Sequence, residues 1–258
     1  MTAPLLEVSV LTRMFTGLAA VQDLSFEVPA GAIKAVIGPN GAGKTTLLNL
    51  LSGFIEPTSG QIRLDSKRIE ALPAHARVAR GMARTFQNLQ VFGRMTVLEN
   101  VMVGRHTRTR SGFLSGMART PASRRESQAS RAAAEKMLVL VGLDDRADRM
   151  ATDLSFGELK LLELARALAC EPRLLLLDEP AAGLAMAETD RMAQVIRDIN
   201  ASGVTVVLVE HNMRLVMSIS HDILVLNFGR RIAEGSAAVI QAEPAVIEAY
   251  LGRDDDDA

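Results

Sequence analysis

The stretch Gly38-Pro39-Asn40-Gly41-Ala42-Gly43-Lys44-Thr45-Thr46 decides the fold. An apolar run, Ile33–Ile37, precedes it and the leucine-rich Leu47–Leu51 follows it, which is the order of strand, glycine-rich turn and helix. A glycine backbone can wrap a phosphate because no Cβ intrudes and positive φ is allowed. The helix N-terminus would direct its N–H groups and positive dipole end at the same phosphates. The stretch therefore predicts a nucleotide-binding loop in which Lys44 reaches the β- and γ-phosphates and Thr45 binds Mg²⁺.

Composition narrows the class of protein. The chain has 258 residues and is 48% hydrophobic, which is enough for a large α/β domain. No apolar run approaches the roughly 18 residues of a membrane helix, and the N-terminus lacks the pattern of a signal peptide. The one cysteine, Cys170, excludes an internal disulfide. A cytosolic protein is therefore the default expectation. A net charge of −1 and few aromatic residues argue against nucleic acid as a partner.

The hydrophobic pattern predicts an α/β fold with a mainly parallel sheet, an N-terminal antiparallel β part and a helical sub-domain. Continuous apolar runs are typical of strands buried on both faces, and a helical period between two such runs indicates a βαβ unit. The predicted strands are Leu5–Leu11, Leu24–Val28, Ile33–Ile37, Gln61–Leu64, Met82–Phe86, Leu174–Leu177, Val204–Val209 and, as the last, Ile223–Leu226. Six helices are predicted: one directly after the phosphate loop, one from Pro73 to about Arg80, one over Ala134–Val141, one that starts at Ser155, one that includes Met192–Ile199 and one near Pro244–Leu251.

One domain, residues 1–258, is expected, with the helical sub-domain at 88–160. Within it, Arg105–Arg131 carries seven arginines and one glutamate, Glu126, among many small polar residues. That charge indicates either a segment that docks on membrane partners or lipid head groups, or a solvated linker. The four aspartates of 254–257 predict a disordered acidic tail.

Acidic and imidazole side chains follow two of the buried strands. Asp178 and Glu179 come at the end of Leu174–Leu177, and ligands of open α/β sheets bind at that edge. Asp178 is placed to hold Mg²⁺ and Glu179 to orient or deprotonate an attacking water. His211 follows Val204–Val209, where it either contacts phosphate or is structural.

The stretch Leu154-Ser155-Phe156-Gly157-Glu158 has two interpretations. A serine at a helix start with a glycine two residues on offers a hydroxyl and open N–H groups, which is a second anion site. The same pattern is also that of an ordinary helix N-cap.

The order of these motifs along the chain resembles the nucleotide-binding subunit of ATP-binding-cassette (ABC) transporters over nearly the whole sequence. The resemblance implies that the phosphate loop binds ATP with Mg²⁺. It also implies that Gln87 senses metal and water and couples to the membrane subunit.

Further roles follow from the resemblance. Ser155 and Gly157 belong to the signature that contacts ATP across a dimer, Asp178 and Glu179 are the metal-associated carboxylate and the catalytic base, and His211 is the γ-phosphate switch. Phe15 sits where the family stacks an aromatic ring on adenine, although a phenylalanine in a turn is also typical of a core.

Within the family, three stretches look like the ATPase subunits of branched-chain amino-acid importers: Pro180–Leu184, Gly112–Gly116 and Val246–Gly252. Three positions depart from the pattern. The signature ends in Glu158 instead of the usual Gln, Leu159–Leu161 replaces Gln-Arg-Arg, and Ala185 stands where Asp or Asn is usual. These departures affect the expected turnover and the coupling between ATP sites more than ATP binding.

The sequence thus predicts an ATP-hydrolysing importer subunit. Its expected partners are a second ABC ATPase subunit, membrane permease subunits and, indirectly, a solute-binding protein, at the cytoplasmic face of the inner membrane. The alternatives are an ABC ATPase of DNA repair or ribosome function and a small-molecule P-loop kinase.

Overall fold

The computed structural model of the protein describes residues 4–85, 91–105 and 121–251. Its strands, numbered along the chain, are β1 Pro4–Phe15, β2 Leu18–Pro29, β3 Ile33–Ile37, β4 Ser59–Leu64, β5 Lys67–Arg68, β6 Met82–Arg84, β7 Leu174–Asp178, β8 Thr205–Val209, β9 Asp222–Asn227 and β10 Arg230–Gly235. Its helices are α1 Lys44–Ser52, α2 Ala74–Ala79, α3 Val97–Gly104, α4 Pro121–Val141, α5 Phe156–Leu168, α6 Met186–Ala201, α7 Met213–Ile219, α8 Ala237–Ala242 and α9 Pro244–Leu251.

The larger sheet has the order β10-β9-β3-β8-β7-β6. All of its neighbours are parallel except β9 and β10, which form an antiparallel hairpin. Every residue of β3, β7 and β8 is buried, as expected for parallel strands covered on both faces. Because these three strands are adjacent, their carboxyl ends bring together the phosphate loop, Asp178–Glu179 and His211.

The smaller sheet is antiparallel, with the order β2-β1-β4-β5, and turns at Thr16-Gly17. Its apolar side packs with α1 against one face of the larger sheet. The opposite face is covered by α3, α4, α5 and α6, which share a second core with it. The phosphate loop and α1 thus begin between two packed layers, and the predicted fold class is confirmed.

The structure corrects several element predictions. Helix α4 begins at Pro121 instead of near Ala134, because its first turns are too polar to show an apolar period. Strand β10 follows β9, so Ile223–Leu226 is not in the last strand of the sheet. The short β5, α7 and α8 were also not predicted. In the described ranges, no helix is both long and apolar enough to span a bilayer.

The arginine-rich segment lies only partly within the described residues. Arg105 forms an ion pair with Glu171 at 2.7 Å, and its side chain is mostly buried. Arg131 pairs with Glu135 on α4 at 2.8 Å. These two arginines therefore have acidic partners outside the segment, which a count of charges within it does not reveal. Residues 106–120 and the tail 254–257 lie outside the described residues.

Lys34 is a charged residue in the centre of the larger sheet. Its ammonium pairs with Asp222 at the start of β9 and with Glu234 on β10, and its side chain is 2% exposed. It also lies 5.8 Å from the centre of the Phe26 ring on β2. The lysine thus connects the β9–β10 hairpin to the strand that leads into the phosphate loop.

We expect Lys34→Met to lower the free energy of unfolding by about 1–3 kcal/mol, because the partly buried carboxylates of Asp222 and Glu234 lose their shared donor. Urea unfolding at pH 7 measures the change. The matched control is Lys67→Met on the exposed β5, which should alter stability by no more than about 0.5 kcal/mol. Equal stabilities of the two variants would mean that the Lys34 ion pairs contribute nothing.

Candidate functional site

The phosphate loop connects β3 to α1 with glycines in conformations that L-residues rarely adopt. Gly38, Gly41 and Gly43 have φ of 150°, 81° and 100°. A Cβ at Gly38 would overlap the carbonyl oxygen of Leu226, and one at Gly43 would overlap that of Ala20. The glycines are therefore required by the close approach of neighbouring backbone as well as by the turn itself.

The other loop residues divide by exposure. Ala42 is buried and Pro39 is partly buried, and Asn40 and Thr45 are exposed. Thr46 lies partly buried in the first turn of α1, whose N-cap is Gly43. The unpaired N–H groups of α1 and the hydroxyl of Thr45 therefore lie at the loop surface, where an anion can be bound.

The Lys44 ammonium donates hydrogen bonds to two carbonyls of the loop itself, Gly38 O at 2.6 Å and Pro39 O at 2.8 Å. Burial lowers the pKa of Lys44 below 10.5, and the carboxylate of Glu179 opposes that change. The lysine is thus held over the loop, between its carbonyls and the Glu179 charge. A phosphate entering the loop would find this cation already in place.

Asp178 ends β7 as a buried carboxylate. Arg84 on β6 donates to its Oδ2 from Nη2 at 2.9 Å, and the same guanidinium donates from Nη1 to Asn49 Oδ1 and Ser52 Oγ, both at 2.8 Å. Arg84 therefore ties the acidic strand end to helix α1, which begins at the phosphate loop. Sequence reasoning missed this residue, although an arginine in an otherwise apolar strand was a usable signal.

Glu179 and His211 lie close together at the ends of β7 and β8. The carboxylate Oε2 of Glu179 lies 3.8 Å from His211 Nδ1, and His211 is largely exposed. Glu179 has a φ of 48°, a strained conformation for a non-glycine residue that costs on the order of 1–3 kcal/mol. Its backbone N–H donates to Val209 O at 2.9 Å, which fixes the strained residue to the neighbouring strand.

Phe15 lies at the end of β1, beside the turn, and is 39% exposed. The guanidinium of Arg13 stacks 4.5 Å from the ring centre. The ring is thus neither buried in a core nor isolated, because a cation already supports one of its faces. An exposed aromatic ring in that setting is suited to stacking on a planar base.

Ser155 is the N-cap of α5 and forms a reciprocal capping box with Glu158. The Ser155 N–H donates to Glu158 Oε2 at 2.8 Å, and the Glu158 N–H donates to Ser155 Oγ at 3.3 Å. The bond from the Ser155 backbone is the main cause that lowers the pKa of Glu158, against the effect of burial, and Arg146 adds to it. The N-cap interpretation of this stretch is confirmed, and the serine remains exposed, while the second anion site stays a prediction.

Gly157, in the first turn of α5, faces α6. A Cβ at this position would overlap the carboxylate of Glu188. That carboxylate also accepts a hydrogen bond from the Ala185 N–H at 3.0 Å. The start of α5 and the start of α6 are therefore packed together, which sequence reasoning did not predict. Gln87 lies outside the described residues.

A model of the ABC transporter family matches residues 21–182, a range that contains the phosphate loop, Ser155–Glu158 and Asp178–Glu179. The chain belongs to the ABC transporter family. A second model, of the branched-chain amino acid ATP-binding cassette transporter, matches residues 230–256.

Curated relatives extend along the whole cassette. The high-affinity branched-chain amino acid transport ATP-binding protein BraF of Pseudomonas aeruginosa is 46% identical over 98% of this chain and 99% of its own length. LivG of Escherichia coli K12, which carries the same description, is 42% identical over the same shares. Among solved structures, an ATP-binding cassette of an ABC transporter in its ADP conformation superimposes with a TM-score of 0.85. It is 30% identical and covers 97% of this chain and 100% of its own. The protein described here is thus an ATPase subunit of an ABC transporter.

The segment matched by the second model contacts the phosphate loop of the cassette. Tyr250 on α9 lies beside the Gly38 backbone, and burial raises the pKa of its phenol. The Gly229 N–H, at the turn before β10, donates to Ala42 O at 3.0 Å. The turn before β10 therefore supports the loop, and α8 and α9 pack in the same core as the helical layer.

We expect Glu158→Gln to reduce stability at pH 7 by roughly 0.3–1 kcal/mol, because the helix N-terminus loses a negative charge. A carboxyl whose pKa is lowered on folding contributes stability that is present above its unfolded pKa and lost as the pH falls through the folded value. The difference between wild type and Glu158→Gln should thus be constant near neutral pH and shrink below about pH 4.5. Chemical unfolding at several pH values measures it.

The control variant is Glu27→Gln, at an exposed position on β2. Its free energy of unfolding should stay within about 0.5 kcal/mol of wild type at every pH measured. A difference for Glu158→Gln that grows as the pH falls would contradict the capping role of the carboxylate.

Proposed function

We propose that the chain is the ATP-hydrolysing subunit of an importer for branched-chain amino acids. The observation that carries this proposal is the full-length similarity to transport proteins of that description, 46% and 42% identical, together with the separate match of residues 230–256. The P-loop kinase alternative is overturned by membership of the transporter family.

The name of one relative refers to a different transported substance. The lipopolysaccharide export ATP-binding protein LptB of Acidithiobacillus ferridurans is 34% identical over 96% of this chain. The higher identity to BraF and LivG favours amino-acid import. Direct transport measurements separate the two.

Nucleotide binding rests on residues with distinct tasks. Lys44 neutralises charge on the β- and γ-phosphates, the N–H groups of the loop and α1 hold the remaining phosphate oxygens, and Phe15 stacks on adenine. The hydroxyl of Thr45 and the carboxylate of Asp178 are hard oxygen donors of the kind that Mg²⁺ prefers. Bound with the nucleotide, Mg²⁺ supplies further neutralisation of phosphate charge, and Gln87 completes the proposed ligands.

Hydrolysis requires a water in line with the γ-phosphate and a base to take its proton. We assign the base to the Glu179 carboxylate, which lies near Lys44 and 3.8 Å from His211 Nδ1. His211 contacts the γ-phosphate from the adjacent strand end. The strained backbone of Glu179, held by Val209 O, fixes the base before the substrate binds.

Ser155 and Gly157 serve the ATP of a second cassette in a head-to-tail dimer. The support is that Ser155 and Phe156 are exposed at the N-terminus of α5, where a helix dipole favours an anion. Glu158 is engaged with the Ser155 backbone and Arg146, so its charge is largely compensated within its own chain. This arrangement keeps the serine hydroxyl at the surface despite the departure from the usual glutamine.

The permease partners would meet the side of the molecule that carries α2 and β6. A cavity of about 140 Å³, open to solvent, lies there beside Phe54, His75, Val78 and Arg84. Phe54 is more than half exposed at its rim. We place the permease contact at this cavity, on the cytoplasmic face of the membrane, and the solute-binding protein would act through the permease.

The test is transport by the complex reconstituted with its permease and binding protein in proteoliposomes. ATP-dependent uptake of radiolabelled leucine is expected, with Glu179→Gln lowering both uptake and ATP turnover by about 10²–10⁴, the usual effect of removing a general base. ATP binding by the variant should be unchanged because the phosphate loop is intact.

Lys44→Ala is the matched control and should weaken nucleotide binding itself. Turnover at the wild-type rate in Glu179→Gln would refute the base assignment. Uptake of leucine no faster than that of an unrelated solute, with ATP turnover intact, would instead refute only the cargo.

A second prediction tests contact across the dimer. Ser155→Arg should block ATP-dependent dimerisation, because the long cation occupies the space of the partner's γ-phosphate. Mixing Ser155→Arg with Lys44→Ala chains should restore one intact composite site and part of the activity. Sedimentation and ATPase assays of the mixtures provide the measurement.

The control variant is Ser155→Ala, which loses the helix cap at a cost of about 1 kcal/mol but adds no bulk. It should retain dimerisation better than Ser155→Arg. Normal dimerisation of Ser155→Arg would mean that Ser155 does not face the second ATP.

A further inference from the structure

Glu210 is a buried carboxylate that none of the roles above uses. It follows the apolar strand β8 directly and is 1% exposed. Burying a carboxylate there is costly unless hydrogen-bond donors surround it. Glu210 follows β8 as Glu179 follows β7. The two glutamates lie next to each other because Asp178 and Val209, the last residues of these strands, are register partners.

Three backbone donors bind the Glu210 carboxylate. Its Oε1 accepts from the Ala181 N–H at 2.8 Å, and its Oε2 accepts from the N–H groups of His211 at 2.9 Å and Asn212 at 3.0 Å. Both oxygens are thus engaged in charge-assisted hydrogen bonds, which are about twice as strong as neutral ones. The two oxygens bind different segments of the chain.

These two segments carry the groups assigned to hydrolysis. Ala181 lies two residues after Glu179, and His211 is itself the proposed contact to the γ-phosphate. Besides Glu210, the strand ends are joined by the bond from the Glu179 N–H to Val209 O, which lies before both segments leave the sheet. Beyond the sheet, Glu210 is a direct bridge between the segment after β7 and the segment after β8.

We propose that Glu210 is a positioning residue for ATP hydrolysis, which fixes the segment after Glu179 and the His211 backbone relative to each other. It touches no phosphate, and the proposal rests on the roles assigned above to Glu179 and His211. Misplacing a reacting group by about 1 Å can cost on the order of 10² in rate. A carboxylate is required because a side-chain amide offers one acceptor oxygen, whereas the donors lie on both sides.

The first experiment is Glu210→Gln in the full-length protein, with steady-state ATPase and binding of a fluorescent ATP analogue. The amide NH₂ cannot accept a hydrogen bond, so either Ala181 or the His211–Asn212 pair loses its acceptor. We expect kcat to fall about 10- to 100-fold. Analogue affinity should change less than about twofold, because Lys44 and its loop lie on a different strand end.

The matched control is Glu70→Gln. Glu70 is also a mostly buried carboxylate that accepts a backbone N–H, from Ile62 at 3.4 Å, but it lies in the antiparallel part of the molecule. The kcat of the Glu70→Gln variant should equal that of wild type. If Glu210→Gln does not fold, Glu210→Asp replaces it: both oxygens remain, but the shorter side chain cannot span the two segments, and the same loss of kcat is expected.

A double-mutant comparison separates positioning from a structural role. Single-turnover rates are measured for wild type, Glu210→Gln, His211→Ala and the double variant. Each loss is the factor by which the single-turnover rate falls below that of wild type. If Glu210 acts through His211, the loss in the double variant should be at least about threefold smaller than the product of the two single-variant losses. Losses that multiply fully, or a kcat equal to wild type in Glu210→Gln, would overturn the proposal while leaving the ATPase assignment intact. Wild-type turnover in Glu179→Gln would overturn both.

Discussion

The constraint on which the site depends is the absence of space for a Cβ at Gly38 and Gly43. At Gly38 the carbonyl of Leu226 on β9 occupies that space, and at Gly43 the carbonyl of Ala20 on β2 does so. The phosphate loop is therefore held between the hairpin of the parallel sheet and the antiparallel sheet. Because the two sheets share a core with α1, the loop is formed by tertiary packing as much as by its own sequence.

The charged side chains around the phosphate loop already have hydrogen-bond partners within the protein. Lys44 bonds to loop carbonyls, Asp178 to Arg84, and Glu210 to backbone N–H groups. Each group is thus fixed in place without a ligand. Preorganised charges of this kind need little rearrangement when a phosphate enters, and such electrostatic preorganisation is a large part of catalysis in many enzymes.

Much of the fold and of the site could be predicted from the sequence, because the signals are local. The phosphate loop is contiguous, and strands such as Leu174–Leu177 are short runs bounded by polar residues. Arg84 and Glu210 could not be found this way. Arg84 meets Asp178 across 94 positions, and Glu210 meets Ala181 across 29, so their roles depend on which strands become neighbours. The polar start of α4 and the strand β10 were missed because neither has a clear hydrophobic period.

The three departures from the family pattern have different structural consequences. At 158, glutamate replaces glutamine without loss of the cap, because its carboxylate binds the Ser155 N–H and Arg146. At 185, alanine leaves the N-cap of α6 without a side-chain acceptor, but Glu188 reaches back to its N–H.

The same Glu188 carboxylate fills the space where Gly157 lacks a side chain, so one residue supports both the start of α5 and the start of α6. Lys160, in the third altered stretch, is buried near the Phe156 ring, not exposed as a cation beside the serine. A Cβ at Gly183 would come within 3.0 Å of the Phe156 ring, and the positive φ of 79° at this position favours glycine. The segment after Glu179 thus lies against Phe156, next to Ser155, and is bonded through Ala181 to the Glu210 carboxylate that also binds the His211 backbone.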